Sequence, residues 1–359
     1  MREEAIERIL LGGARQYTRT EVAELSGVPE ERASALWRAL GFSTQDDDAA
    51  VFTDGDVHAL RLTDQLIQSG ILDPSLATST ARMIGQHMSR LAESQVHMLR
   101  DVLAANPELG ADERQLTRLI ERLVPDLEAL QDYVWRRHVA AHSVRLLTAP
   151  DEDLDERPQV VGFADMVGFT ALTRRATEAE LVSVVEAFDS LAAEVVAENH
   201  GRIVKMLGDE VLFVADSPVD GAEIALTLIS RADQEDGVPS LRAGLAYGRV
   251  LSRFGDVYGS VVNIASRLTS VARPGTVLAD LELSAALQDT PGYGLRPLRP
   301  VSVRGYPRLR SAALRRAGLE SSSETLADFT AELLGLARNE PRIPLEPDDE
   351  NRKIRRRRR

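Results

Sequence analysis

Apolar residues recur three and four positions apart through most of the first 148 residues, the spacing of one buried face on an α-helix. The spacing predicts helices over 3–11, 20–25, 30–40, 54–68, 79–105, 112–123 and 126–147. Gly27-Val28-Pro29 separates the second from the third, with Pro29 placed where a new helix can begin. Pro125 is expected to separate the last two. Pro150 and the acidic run DEDLDERP (151–158) then read as a solvated linker.

Beyond Pro158 the pattern changes. Residues 160–165 form a short apolar, β-rich run that ends in a carboxylate. An amphipathic helix is expected over 178–199, closed by His200-Gly201. Residues 202–214 hold two apolar runs divided by Gly208-Asp209-Glu210, the signature of a β-hairpin. A helix (219–231), a strand (241–252), a helix (260–272) and a strand (276–278) follow. Strands alternating with helices on this spacing imply an α/β sandwich on a mixed sheet. The expected organisation is thus an all-α region over 1–148, an acidic linker over 149–158 and an α/β domain over 159–316. A helix (323–337) and a charged, disordered tail are expected within 317–359.

Composition fits two cores: the chain has 359 residues, 43% of them hydrophobic. Its net charge is −13, although seven of the 43 basic residues crowd into the last eight positions. The body is therefore acidic, which argues against wrapping nucleic acid. No function is assigned to the basic tail. Cysteine is absent, which removes disulfides, thiolate metal sites and thiol nucleophiles together. The N-terminus carries charges where a signal peptide needs an apolar run, and no stretch approaches the roughly 18 apolar residues of a membrane span. A soluble, cytoplasmic protein is expected.

Candidate chemistry begins with two aspartates at strand ends, Asp165 and Asp209. Either alone reads as a turn former or helix cap. On neighbouring strands they would converge as a Mg²⁺ site of two protein carboxylates, completed by phosphate and water. Asp165 runs into Met166-Val167-Gly168-Phe169-Thr170, a glycine-containing turn into a helix. Backbone N–H groups there can face a phosphate, which makes Phe169 a substrate-binding candidate. Asn263 and Arg267 are i and i+4 on one helix, so both can reach one ligand.

In the N-terminal half, residues 18–42 look like a helix-turn-helix with a loose similarity to MerR-type readers. Its second helix carries Glu30, Glu31, Arg32 and Arg38, so its charge sums to zero and its entry end is acidic. A packing unit is the better reading than a DNA reader. Five of the six histidines also lie in this half. His138 and His142, i and i+4 beside Arg136 and Arg137, are the preferred candidates for a pH switch. Met83, Ile84, Met88, Leu91 and Met98 line the long helix and suit a core or dimer interface, with an apolar ligand as a further expectation.

FADMVGFT (163–170), KMLGDEVLF (205–213) and DVYGSVVNIASRL (256–268) resemble the catalytic domain of class III nucleotidyl cyclases. The resemblance covers about 158–315 and implies a ferredoxin-like core and a homodimer with both active sites at the interface. From one chain, Asp165 and Asp209 would hold two divalent ions, Mg²⁺ or Mn²⁺, and Arg242 would meet the terminal phosphates. From the other, Lys205 and Asp256 would recognise the purine, Asn263 would position the ribose, and Arg267 would stabilise charge on the α-phosphate. VRG (303–305) is similar to the family's VKG, making Arg304 a second polyphosphate cation with altered geometry. Guanylate-selective members carry Glu with a small polar or Cys residue at the two base positions, so the Lys–Asp pair implies ATP. Lys205 is one of only two lysines, the other being Lys353 in the basic tail. The region 1–148 is similar to the regulatory domain of some actinobacterial cyclases, which restrains catalysis and in some cases responds to pH. The expected function is an adenylate cyclase forming cyclic AMP and pyrophosphate. The alternatives are a nucleotide-sensing DNA-binding regulator with a weak cyclase domain, or a guanylate cyclase.

Overall fold

A computed structural model describes residues 2–317, apart from 44, 45, 47, 149–155 and 236. Most of the expected linker, the helix expected over 323–337 and the basic tail lie outside the described residues. The chain divides between Leu154 and Asp155 into two compact units.

The N-terminal unit is helical: α1 (Arg2–Leu10), α2 (Arg19–Ser26), α3 (Glu30–Ala39), α4 (Asp54–Gln68), α5 (Pro74–Ala105), α6 (Pro107–Ala111) and α7 (Glu113–Thr148). Local chemistry sets several ends. Thr18 and Glu21 cap α2 reciprocally, and Gly27 closes it at φ 75°. Asp73 caps α5 with Pro74 in its first turn, so that helix starts earlier than its apolar period suggests. Pro125 does not divide α7. A proline removes one internal hydrogen bond and bends a helix, and turns on both sides of Pro125 keep their own bonds. A small core of Val22, Phe52 and Val57 is flanked by Trp37 and Leu60. The residues Ile84, Met88, Leu91 and Met98 of α5 are exposed and not part of that core.

The C-terminal unit opens with β1 (Glu156–Met166), α8 (Phe169–Leu172), α9 (Glu178–Glu198), β2 (Arg202–Met206), β3 (Glu210–Ala215), α10 (Pro218–Ala232) and β4 (Leu241–Arg253). Then come β5 (Asp256–Tyr258), α11 (Ser260–Val271), β6 (Val277–Ala279), α12 (Leu281–Leu287), β7 (Tyr293–Pro297), β8 (Val301–Val303), β9 (Tyr306–Leu309) and β10 (Ala312–Arg316). The sheet order is β2-β3-β1-β4-β6-β10-β7, with β5 on the end of β4. Its first four strands are antiparallel neighbours in βαββαβ order, the ferredoxin-like core. The parallel pairing of β4 with β6 makes the sheet mixed. β1 begins at Glu156, inside the span expected as linker, because residues 156–158 pair with 249–251 of β4.

Alternation along the strands gives the sheet two different faces. Val160, Ala164, Phe213 and Leu245 pack with α9, α10 and α12 in the larger core. Val161, Phe163, Leu212 and Ala246 face α11 in a smaller one. Gly244 sets how closely α11 approaches: a Cβ there would lie 2.3 Å from the Thr269 nitrogen and 2.5 Å from the Ala265 oxygen.

Candidate active site

The site lies on the sheet face that packs against α11. Asp165, near the end of β1, stands directly opposite Glu210 of β3 on one side and Arg242 of β4 on the other. Directly opposed residues share a face, so acid, carboxylate and guanidinium form a row across three strands. Arg242 Nε donates to Asp165 Oδ2 at 2.7 Å, and Nη2 lies 2.5 Å from the same oxygen. Asp209 sits in the β2–β3 turn behind Gly208, whose φ of 78° suits glycine. The Met166 N–H donates to the Asp209 carbonyl at 2.9 Å, which ties this turn to the end of β1.

Charge in the row is shaped by burial. Burial raises the Asp165 carboxyl, the Arg242 hydrogen bond and charge pull it down, and Asp209 pushes it up again; the net direction is upward. Glu210 moves further, to about 7, through burial first and then the charges of Asp165 and Asp209, partly offset by Arg242. Sequence reasoning missed Glu210. Its only signal was its place beside Asp209, because its position opposite Asp165 depends on strand register.

A second cluster forms at the free end of the sheet. The β2–β3 register shifts between Ile203 and Lys205, a bulge that leaves Lys205 opposite Leu212 on the α11 face. Lys205 Nζ donates to Asp256 Oδ2 at 2.6 Å, and the Val257 N–H donates to Asp256 Oδ1 at 2.8 Å. Burial opposes the charged form of Asp256, but the hydrogen bonds from Lys205 and Val257 and the charges of Lys205 and Arg202 outweigh it. Its carboxyl is held below the ordinary value.

On α11, Asn263 is exposed and Arg267 half-buried, and neither side chain has a hydrogen-bond or ion-pair partner among the described residues. Arg304 is exposed in the turn between β8 and β9. Phe169 opens α8 and packs against the larger core. His138 and His142 lie in the other unit, exposed on α7.

The donor set fits a divalent ion. Among the described residues no group of three or more His, Asp or Glu side chains could hold one unaided. Two converging carboxylates, Asp165 and Asp209, are the set Mg²⁺ takes when phosphate and water fill its remaining positions. Acidic side chains, nearby cations and polar groups on α11 with no partner among the described residues suit an anionic substrate that brings a metal ion. No helix among the described residues is long and apolar enough to cross a membrane.

Residues 156–315 match the family of the adenylate and guanylate cyclase catalytic domain. An adenylate cyclase of Streptomyces coelicolor is 44% identical over 284 residues, covering 79% of this chain and 74% of its own length. An adenylate cyclase of Glutamicibacter nicotianae is 37% identical over 319 residues, 84% of this chain and 79% of its own. A pH-sensitive adenylate cyclase of Mycobacterium tuberculosis is 31% identical over 330 residues, 86% of this chain and 81% of its own. The chain belongs to the class III nucleotidyl cyclases, as an adenylate cyclase with a helical N-terminal half.

Proposed function

We propose that the enzyme turns ATP into 3′,5′-cyclic AMP and pyrophosphate at sites shared between two copies of the chain. The observation that carries the choice of ATP is the Lys205–Asp256 pair. A lysine donor and an aspartate acceptor match the ring nitrogen and 6-amino group of adenine, and would face the wrong partners on guanine.

In the reaction the ribose 3′-oxygen bonds to the α-phosphorus, the bond from that phosphorus to the bridging oxygen breaks, and pyrophosphate leaves with the electron pair. The 3′-hydroxyl proton passes to solvent. Charge spreads over the phosphoryl oxygens, so the protein has to orient and neutralise. Asn263 would hold the ribose and Arg267 the α-phosphate, while Arg242, Arg304 and the N–H groups around Phe169 would receive the β- and γ-phosphates. Asp165 and Asp209 would hold two divalent ions, Mg²⁺ or Mn²⁺. Such ions supply Lewis-acid polarisation of the phosphate and a more acidic 3′-hydroxyl.

Exposed apolar side chains beside the site support a homodimer. Leu207 in the Asp209 turn is 45% exposed, and Phe254 and Tyr258, on either side of Asp256, are 37% and 50% exposed. The N-terminal half would tune catalysis. Exposed His138 and His142 remain the candidates for pH sensing, although Arg136 beside them is already paired with Asp132 at 2.8 Å, which reduces the repulsion their protonation would create. A cavity of about 440 Å³ among α2, α3, α4 and α5, lined by Leu36, Trp37, Phe52 and Leu60, supports an apolar ligand there. The DNA-reader alternative is not favoured: Arg32 of α3 is engaged by Asp64 at 3.0 Å.

The test is cyclic nucleotide production by the full-length protein from ATP or GTP, with Mg²⁺ or Mn²⁺, at about pH 5.5 and 8. Cyclic AMP from ATP, lost in Asp209→Ala, is the expected result. Cyclic GMP as the main product would overturn the substrate assignment. If no condition yields product, the isolated C-terminal unit decides: activity there makes the N-terminal half a brake, and silence overturns the enzyme.

A further inference from the structure

We propose that in the nucleotide-free chain Arg242 stands in for a divalent ion on Asp165, and that it must move to the polyphosphate before the Asp165 Oδ2 atom can ligate metal. This inference rests on the metal-site reading above and concerns the order in which the site is filled.

The geometry is specific to one oxygen. Nε and Nη2 of Arg242 both point to Oδ2 of Asp165, at 2.7 and 2.5 Å. Both nitrogens are bonded to one carbon, so the edge of the guanidinium lies against one side of Oδ2 and sets a full positive charge beside it. A small hard cation held at about 2.0–2.1 Å from that oxygen would stand against the guanidinium charge, so the two compete for Oδ2. The pair is imposed by the fold, because Asp165 and Arg242 are direct neighbours in the antiparallel β1–β4 register. It is also sheltered, with the Asp165 side chain 14% exposed and that of Arg242 32% exposed.

The same residue has somewhere to go. Among the described residues, Arg242 has one further hydrogen bond, a long one from Nη1 to the Ser270 carbonyl at 3.4 Å in the last turn of α11, and its charge also acts on Glu210. A polyphosphate offers several anionic oxygens to the guanidinium fork, a match that a carboxylate already shared with a metal cannot equal. Metal ion and polyphosphate then favour the same state, with Arg242 off Asp165. Each promotes the other's binding by linkage, beyond the chelation of metal by the nucleotide itself.

Mn²⁺ binding to the full-length protein without nucleotide, followed by loss of the free-ion electron paramagnetic resonance signal, tests this. Arg242→Ala is expected to bind Mn²⁺ on the order of tenfold tighter than the wild type. The gain is expected at both 50 and 500 mM NaCl, since a direct contest for Oδ2 is not screened as a distant charge is. An unchanged or weakened isotherm overturns the proposal, and so does a gain that vanishes at 500 mM. Asp165→Asn separates this from the underlying reading. Mn²⁺ binding that Asp165→Asn leaves intact removes the metal site itself. Binding lost in Asp165→Asn but unaltered in Arg242→Ala removes only the role given to Arg242.

Discussion

In the C-terminal unit Phe188, Phe213, Leu228 and Leu245 have no solvent exposure, and three helices cover one face of the sheet. In the N-terminal unit α7 leaves Leu130, Tyr133 and Trp135 exposed by 58%, 61% and 61%. Among the described residues its buried apolar side chains are fewer and often small, such as Ala23, Ala33 and Ala77. The contrast follows from architecture. A sheet with helices on it encloses a core inside one chain, whereas a long helix has too few neighbours to cover its whole circumference. One unit encloses a core beneath the sheet that carries Asp165 and Arg242. The other has surface left for partners and signals.

The largest effect is expected from breaking the chemistry of the C-terminal unit while leaving its core intact. Asp209→Ala should lower kcat at least about a hundredfold, the scale of losing one electrostatic contact to a phosphoryl transition state. His138→Ala, in the other unit, should leave kcat at pH 8 within about twofold. Steady-state cyclic AMP formation measures both. Equal losses from the two would erase the division of labour between the units.

Next comes the packing that carries Asn263 and Arg267. Gly244→Val drives two methyl groups into the backbone of α11 where even a Cβ has no room. It should cost about 1–3 kcal/mol in urea unfolding of the C-terminal unit, with activity falling further as α11 is displaced. Wild-type stability in this variant would mean that α11 does not rest on β4 at Gly244.

A smaller and pH-dependent effect is expected at Asp280. This buried carboxylate caps α12 through the Leu283 N–H at 2.9 Å and faces the Tyr247 N–H of β4 at 3.3 Å. Burial, with a contribution from Glu282, pushes it up to about 6 despite those hydrogen bonds. A folded-state value above the unfolded one means stability that is present at low pH and lost as pH rises through about 6. Asp280→Asn keeps an acceptor for the cap and removes the titration. It should be more stable than the wild type at pH 7 by about 1–2 kcal/mol, with the difference vanishing near pH 4. Urea midpoints across that range measure it, and a gap that widens toward acid would reverse the assignment.

The two units also differed in how far their sequences could be read. Helices such as α4 and α9 were visible because a long amphipathic period repeats many times over. The β2–β3 hairpin showed itself through Gly208-Asp209 between apolar runs. Strands β5 and β7 to β10 span three to five residues each, too few for alternation to stand out. Pro125 misled because a proline's local cost can be absorbed by a long helix around it. Of the candidate site, motif and spacing singled out Asp165 and Asp209, Lys205 and Asp256, and Asn263 and Arg267 on α11. The Glu210–Asp165–Arg242 row was not legible, because cross-strand register arises only when the sheet assembles.

The smallest expected effect bears most directly on the difference between the units. Trp135 is 61% exposed on α7, beside Tyr133 and Val134 and four residues before Val139, itself 43% exposed. Within a single chain its ring has little to lose on truncation. Trp135→Ser should therefore change the unfolding free energy of the full-length protein by less than about 0.5 kcal/mol, as an uncovered surface position does. Far-ultraviolet circular dichroism in urea, repeated at two protein concentrations tenfold apart, measures it. A loss of several kcal/mol that grows with protein concentration would mean that α7 is covered in solution by a second chain. The apolar surface of the N-terminal unit would then be an interface, and its sparse core would be completed by association rather than by folding alone.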